Sequence, residues 1–411
     1  MSNGMNIQTL KGFRDFLPGQ MKLRQSVISV VKNVFESYGF EPLETPALEY
    51  SEILTGKYGE EGDKLMYKFE DNGGRSVALR YDQTVPLARV IAQYQNELPM
   101  PFKRYQIQPV WRAENTQRGR YREFLQVDGD IVGTDSILAD VEIVVIVAKC
   151  LEALGFSGIK IRINDRALFS NIPPRAVQLI DKLKKVGEEK VRQSLKDEGF
   201  DETILDTLTA SKKTRYLKNF FELINVSGLD SDTVIFDPTL ARGLDYYTSL
   251  IFEVEVEGYN VGSVCGGGRY DKLIGMFSGN DIPAVGFAFG FDRLIEAMEA
   301  LKISQPKNNN TVLVTIFSEE YKNNSIELAQ TLRQNNIACE LYLDETAKLD
   351  KQLKYADKKG IAYVIIIGPE EKEKNVVKLK NMKTGEQKEV LISVIPDLIG
   401  LPAGKAGNLS K

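Results

Sequence analysis

RYQIQPVWRAENTQRGRYREFLQVDGDIVG, Arg104 to Gly133, is the stretch whose reading decides the fold. It reads as two β-strands joined by a polar loop, Asn115 to Arg120. Alternation of apolar and polar side chains marks a strand with two unlike faces. In the first strand Tyr105, Ile107, Pro109, Trp111 and Ala113 share one face. Arg104, Gln106, Gln108, Arg112 and Glu114 share the other. In the second strand Leu125, Val127 and Ile131 form the apolar side, and Arg122, Phe124, Gln126, Asp128 and Asp130 the opposite one. A hairpin in the middle of a large domain therefore carries one face of charges, amides and a single ring. Two readings stay open. The polar face can meet solvent, as one face of an antiparallel sheet often does, or it is buried and its charges are paired, because an unpaired buried charge is costly.

Upstream, Met21 to Tyr38 follows helical spacing and Gly39 ends it. Glu41 to Tyr50 is extended and broken by prolines, which suits an edge or an interface. Met66 to Glu70 and Ser76 to Arg80 are short strands around the turn Asp71-Asn72-Gly73-Gly74. Asp82 to Ala92 is a helix with Asp82 or Thr84 as its cap. Downstream come a helix, Ile137 to Leu154, and a strand, Ile159 to Asn164. From about 166 to 226 the chain is Lys- and Glu-rich and reads as a helical insertion: an extra packing module, with RNA contact as the second reading. Strands resume at Thr233, turn at Arg242-Gly243 and lead through Leu250 to Val256 and Cys265 to Asp271. Val285 to Phe289 then enters a helix from about Phe291 to Leu301. Lys302 to Asn310 is a linker by composition. Beyond it, strands Thr311 to Phe317, Ala338 to Leu343 and Ala362 to Gly368 alternate with helices Glu319 to Asn335 and Ala347 to Lys359. That order predicts a small α/β domain with a parallel sheet. The fold class is thus α+β: a first domain over 1–304, a linker over 305–310 and a second domain over 311–411.

The 411 residues are 43% hydrophobic, enough for real cores, and the net charge of −4 argues against non-specific coating of nucleic acid. Three cysteines, Cys150, Cys265 and Cys339, offer neither metal spacing nor a disulfide framework, so a reducing compartment is expected. The first eighteen residues have no apolar core of signal-peptide type, and no run reaches spanning length. A cytoplasmic protein with no membrane partner is expected. There is no histidine at all. That excludes Ser/His/Asp and Cys/His catalytic devices and His-ligated zinc. What remains is carboxylates, Arg, Lys, Tyr, backbone dipoles or an oxygen-held metal, a set suited to electrostatic chemistry on phosphates.

Gly286, Ala288 and Gly290 alternate in GFAFGF, so one strand face is bare backbone. Either something flat lies there or a neighbouring strand packs close. Arg293 falls in the first turn of the next helix, where a cation opposes the macrodipole unless a phosphate or π-face compensates. Gly266 to Gly268 allows another close approach, and no P-loop pattern occurs. Arg112, Arg242 and Arg293 are each, alone, ordinary salt-bridge candidates; converging, they would make a triphosphate site.

KGFRDFLP (Lys11 to Pro18), LRYDQTVPLAR (Leu79 to Arg89), RGRYREFLQVDGDIVG (Arg118 to Gly133), ARGLDYYTSLIFE (Ala241 to Glu253), GGGRYD (Gly266 to Asp271) and PAVGFAFGFDRL (Pro283 to Leu294) occur in that order. Together they resemble the class II aminoacyl-tRNA synthetases, and among them the histidyl-tRNA synthetases, over essentially the whole chain. The resemblance implies a class II antiparallel sheet flanked by helices and a C-terminal anticodon-binding-type domain. It implies ligation of L-histidine to tRNA(His) through an adenylate, with ATP and Mg²⁺, the metal held mainly by the ATP phosphates. Arg112 would bind the α-phosphate, Glu114 the adenine amine and Arg120 the outer phosphates, with adenine between Phe124 and Arg293. Arg242 would neutralise charge between carboxylate and α-phosphate. Asp82, Thr84 and Gln126 would hold the α-ammonium, so Arg242, Arg112 and Asp82 carry the catalytic positioning. Asp130 and Tyr247 would read the imidazole nitrogens, with Tyr270 nearby, and Gln117 and Arg118 would face the tRNA acceptor end. A homodimer through Met21 to Tyr50 is implied, Pro46 matching the proline of the family's first motif. Leu125 departs from the His or aromatic residue common there; it lies on the apolar face, so little chemical effect is expected. The alternative is a non-catalytic synthetase-like regulatory subunit of histidine biosynthesis, which usually lacks the anticodon module and loses motif residues.

Overall fold

The computed structural model describes residues 7–117, 119–230, 232–242, 246–303 and 312–398. Arg118, Gly243 and the 305–310 linker lie outside these. The chain divides into two compact units, Met1–Gln305 and Pro306–Lys411.

The first unit is built on an eight-stranded sheet. Its strands are β1 (Glu41–Pro42), β2 (Phe102–Trp111), β3 (Glu123–Val132), β4 (Ile159–Asp165), β5 (Val234–Phe236), β6 (Leu250–Val256), β7 (Cys265–Arg269) and β8 (Ala284–Gly290). Their order is β1-β2-β3-β8-β7-β6-β4-β5, antiparallel except where β1 joins β2 and β5 joins β4. The proline-broken β1 sits at the edge, as a strand short of N–H donors must. The β2–β3 hairpin pairs Arg104 with Asp130, Gln106 with Asp128 and Gln108 with Gln126, so the polar side chains share one face in direct register.

The apolar face of the hairpin packs on helices. Helix α1 (Pro18–Ser37) starts with proline in its first turn and buries Val27, Val31 and Phe35. Phe35 stacks on Tyr105, with ring centroids 5.2 Å apart. Helix α3 (Ile137–Ala153) follows α2 (Thr84–Tyr94) in the chain and is apolar nearly all round. Ser136 caps it, its hydroxyl accepting from the Leu138 amide.

The polar face is buried too. Arg104 and Gln106 are 0% exposed, and Asp128 and Asp130 are 2% exposed, so the solvent-facing reading of the hairpin is wrong. The structure also redraws the expected insertion. Short helices Pro174–Ile180, Leu183–Val186, Glu188–Asp197 and Ile204–Thr209 make its body. Helix α4 (Arg215–Val226), read from sequence as part of it, instead sends Leu217, Phe220 and Ile224 into the main core beside α3. A final helix, α5 (Phe291–Ala300), leaves β8 carrying Arg293 in its first turn.

In the second unit β9 (Val312–Val314), β10 (Cys339–Leu341) and β11 (Tyr363–Ile366) are parallel as expected, with α6 (Lys322–Gln334) and α7 (Leu349–Lys359) between them. The sheet is nevertheless mixed. β12 (Val377–Asn381) and β13 (Gln387–Val390) add antiparallel to β11, giving the order β10-β9-β11-β12-β13. Among the described residues no helix is long and apolar enough to cross a membrane.

Candidate active site

A cavity of about 420 Å³ opens on the polar face of the hairpin, a volume typical of a small-molecule site. Arg112, Glu114, Arg120, Phe124, Gln126 and Asp130 reach it from the hairpin and its loop, Asp82 and Thr84 from the start of α2. Arg242, Tyr247 and Tyr270 reach it from the segments flanking β6 and β7, and Arg293 from α5. Residues spread over more than two hundred positions thus share one cavity. Gln117 does not line it; exposed on the hairpin loop, it bridges to Arg120.

Each anchor has a local cause. Asp82 Oδ1 accepts from the backbone amides of Thr84 and Val85, both at 3.1 Å, and so caps α2. The Tyr58 hydroxyl donates to the same oxygen at 2.8 Å. Burial raises the Asp82 pKa, opposed by the Val85 amide and Tyr58. Gln126 Oε1 is buried with no hydrogen-bond partner, an acceptor left for a donor in the cavity. Arg112 donates through Nε to the Tyr81 carbonyl at 3.0 Å and lies 4.4 Å over the Tyr81 ring and 5.2 Å over that of Phe124.

The glycine runs serve the charged groups. A Cβ on Gly266 would sit 1.7 Å from Arg242 Nη1, and one on Gly286 would sit 1.9 Å from Asp130 Oδ1. The bare face of GFAFGF therefore first makes room for Asp130, a use that the alternation alone did not reveal. Arg242 Nη1 reaches the Phe252 carbonyl and Glu253 Oε1, both at 3.3 Å, while its Nε is unpartnered. Burial works against its charge, yet Tyr247 and Glu253 hold its pKa above the usual value. Arg293 donates to the carbonyls of Gly119 and Ser263 at 3.4 and 3.2 Å. Burial and the neighbouring Arg120 both push its pKa down, so an anion there would be stabilised by both cations.

At the far end, Asp130 accepts a hydrogen bond from the Tyr270 hydroxyl and forms an ion pair with Arg104 at 2.8 Å. Tyr247, buried, packs with its ring centroid 4.8 Å from that of Tyr246, which also lines the cavity. Tyr58 lies outside the motifs quoted above, and Tyr246, Glu253 and Asp292, though inside them, were given no role. Asp292 lines the cavity and accepts from Arg24 at 2.7 Å and the Leu125 amide at 3.3 Å, tying α5 to α1 and to the hairpin. The arrangement offers cations at one end, a carboxylate beside an unpartnered amide oxygen in the middle, and a hydroxyl-lined carboxylate at the other end.

Comparisons with known proteins identify the family. The family model for histidyl-tRNA synthetase matches residues 12–294, and the model for an anticodon binding domain matches residues 311–400. The histidine–tRNA ligase of Cytophaga hutchinsonii is 40% identical, over 92% of this chain and 96% of its own. That of Rhodopirellula baltica is also 40% identical, over 94% of this chain and 96% of its own. The crystal structure of histidyl-tRNA synthetase from Nostoc sp. PCC 7120 matches with a TM-score of 0.84 and 31% identity, covering 96% of this chain and 99% of that one. The chain belongs to the histidyl-tRNA synthetase family.

Proposed function

We propose that this chain activates L-histidine with ATP and transfers it to tRNA(His). The observation that carries the reading is the convergence of Arg112, Arg242 and Arg293 with Asp82, Gln126 and Asp130 in one cavity. Arg112 and Arg242 bracket the α-phosphate, with Arg120 toward the outer phosphates. Adenine lies between Phe124 and Arg293, its amine toward Glu114. The α-ammonium meets Asp82, Thr84 and the free Gln126 oxygen. The imidazole lies against Asp130 and Tyr247, with Tyr270 fixing Asp130. A site built to bond both ring nitrogens rejects apolar isosteres strongly.

A carboxylate oxygen of histidine attacks the α-phosphorus, and the bond to the pyrophosphate oxygen breaks. The terminal ribose hydroxyl of the tRNA then attacks the acyl carbon and releases AMP. Positioning and charge stabilisation supply the catalysis. The acidic groups fit a metal carried on the triphosphate better than one caged by protein: Glu114 faces Arg120 at 3.4 Å, and Glu253 faces Arg242. Mg²⁺ so carried would neutralise the leaving pyrophosphate.

Gln117 and Arg118 are assigned to the acceptor end, and 311–411 to the anticodon. The first domain, 1–304, is assigned to catalysis, and the cytoplasm is the expected location. A homodimer forms through 21–50, which sedimentation at micromolar concentration tests; a monomer contradicts it. The regulatory-subunit alternative is less well supported, because all three arginines are present at the cavity. Charging of tRNA(His) with labelled histidine tests the reading. Stoichiometric charging is expected, and none with folded enzyme overturns it.

A further inference from the structure

Arg104 is a buried cation next to the histidine slot that has no place in the chemistry of activation and transfer. It is 0% exposed and does not line the cavity. By register it stands directly opposite Asp130 across the hairpin. Its Nη2 is 2.8 Å from Asp130 Oδ2, a close ion pair that leaves Oδ2 and Arg104 Nε without a hydrogen-bond partner, so Oδ2 keeps its acceptor capacity. Two further contacts hold the guanidinium itself, from Nη1 to Gln106 Oε1 at 3.2 Å and from Nη2 to the Gln83 carbonyl at 3.4 Å. The other Asp130 oxygen takes the Tyr270 hydroxyl, and glycine at 286 leaves it room. Asp130 is thus held by two groups, a phenol on Oδ1 and, on Oδ2, a cation that does not line the cavity.

We infer that Arg104 is a positioning residue that sets specificity for histidine, acting through Asp130 by fixing its carboxylate as the acceptor for one imidazole N–H. The inference rests on the reading that Asp130 faces the imidazole. A free aspartate rotates about two torsions and reads a ring N–H only when its lone pair is aimed; the phenol's hydrogen bond fixes one oxygen and the guanidinium's charge holds the other in place. Burial raises the Asp130 pKa, and Arg104 is the largest influence opposing that. Without Arg104 the upward push of burial on that pKa loses its main opposition, and in the protonated acid the O–H can turn toward the ring, donor against donor.

The test is ATP–pyrophosphate exchange with Arg104→Met, Arg104→Lys and Asp130→Asn, using histidine and its two ring-N-methyl isomers. Arg104→Met is expected to raise the histidine KM roughly tenfold or more, leave the ATP KM within about twofold, and cut discrimination against the disfavoured methyl isomer by about tenfold. Arg104→Lys, which keeps the charge but not the fork, falls between Met and the parent. A merely structural arginine would shift both KM values together and leave the isomer ratio unchanged. If Arg104→Met does not fold, Arg104→Lys decides the matter by the same two readouts. Unchanged histidine KM and isomer ratio in the folded variants, with Asp130→Asn impaired, overturn the inference alone. Unimpaired Asp130→Asn overturns the slot reading beneath it.

Discussion

Two arginines beside the same strand are opposites, Arg269 at the end of β7 and Arg242 in the segment packed against its Gly266. Arg269, at the end of β7, is 4% exposed and fully engaged. It donates to Asp140 at 2.9 Å, the Thr134 carbonyl at 3.0 Å, and Asp271 and the Ser136 carbonyl at 3.2 Å. Arg242, facing the cavity beside the same strand, makes two bonds of 3.3 Å and leaves Nε without a partner. Both are cations taken largely out of water, and the difference lies in completeness. A completed buried network spends its donors on the fold; an incomplete one keeps them for something that arrives later. Burial of charge by itself does not mark a site.

The largest expected effect separates the pair. Arg269→Met leaves Asp140 buried and unpaired and should cost about 3–5 kcal/mol of stability by urea denaturation, with histidine KM unchanged in the folded fraction. Arg242→Met should do the reverse. Pyrophosphate exchange should fall about 10²- to 10³-fold, with stability altered by less than about 1 kcal/mol. If the two phenotypes were exchanged, the contrast would be broken. Next is Gly266→Ala, whose new Cβ would meet Arg242 Nη1 at 1.7 Å. It should reproduce the loss in kcat of Arg242→Met while the histidine KM moves less, and full activity would show that Arg242 works from another position. The smallest effect sharpens the contrast at Asp128, buried under the slot with Oδ1 unpartnered. Burial pushes its pKa well above the usual value, only partly opposed by Arg104. A folded-state pKa above the unfolded one means that its contribution to stability is complete below the unfolded pKa and is lost as pH rises through the folded one. At neutral pH Asp128→Asn should therefore stabilise by about 1 kcal/mol, with the gain shrinking toward acid pH. A loss of stability at neutral pH would mean that the ionised form has a partner.

The two faces of the hairpin were legible because its alternation is regular; the register that sets Arg104 opposite Asp130 and Gln108 opposite Gln126 was not read from the sequence and comes from the structure. Convergence of the three arginines was not; each sits beside a different turn, and only the family resemblance joined them in advance. Periodicity also cannot say whether a polar face is wet, so the burial of Arg104 and Asp128 needed the second layer of structure, with Gln83 and Thr45 packed over the face. Helix α4 was misassigned by its Lys- and Glu-rich surroundings, although Leu217, Phe220 and Ile224 already mark one buried face. Strand β12 was missed although Val377 and Leu379 alternate with Lys378 and Lys380, and β13 (Gln387–Val390) is nearly all polar and exposed, as suits the end of a sheet. The glycines were visible but not their purpose, because what a missing Cβ makes room for depends on the opposite strand.

ATP–pyrophosphate exchange run separately with each of the twenty amino acids tests most directly whether cations from distant segments and an imidazole-reading carboxylate form one working site. Exchange supported by histidine, and abolished for histidine by Asp130→Ala in folded enzyme, is the predicted result. Exchange supported by another amino acid, or none with histidine and a correctly folded chain, would contradict it.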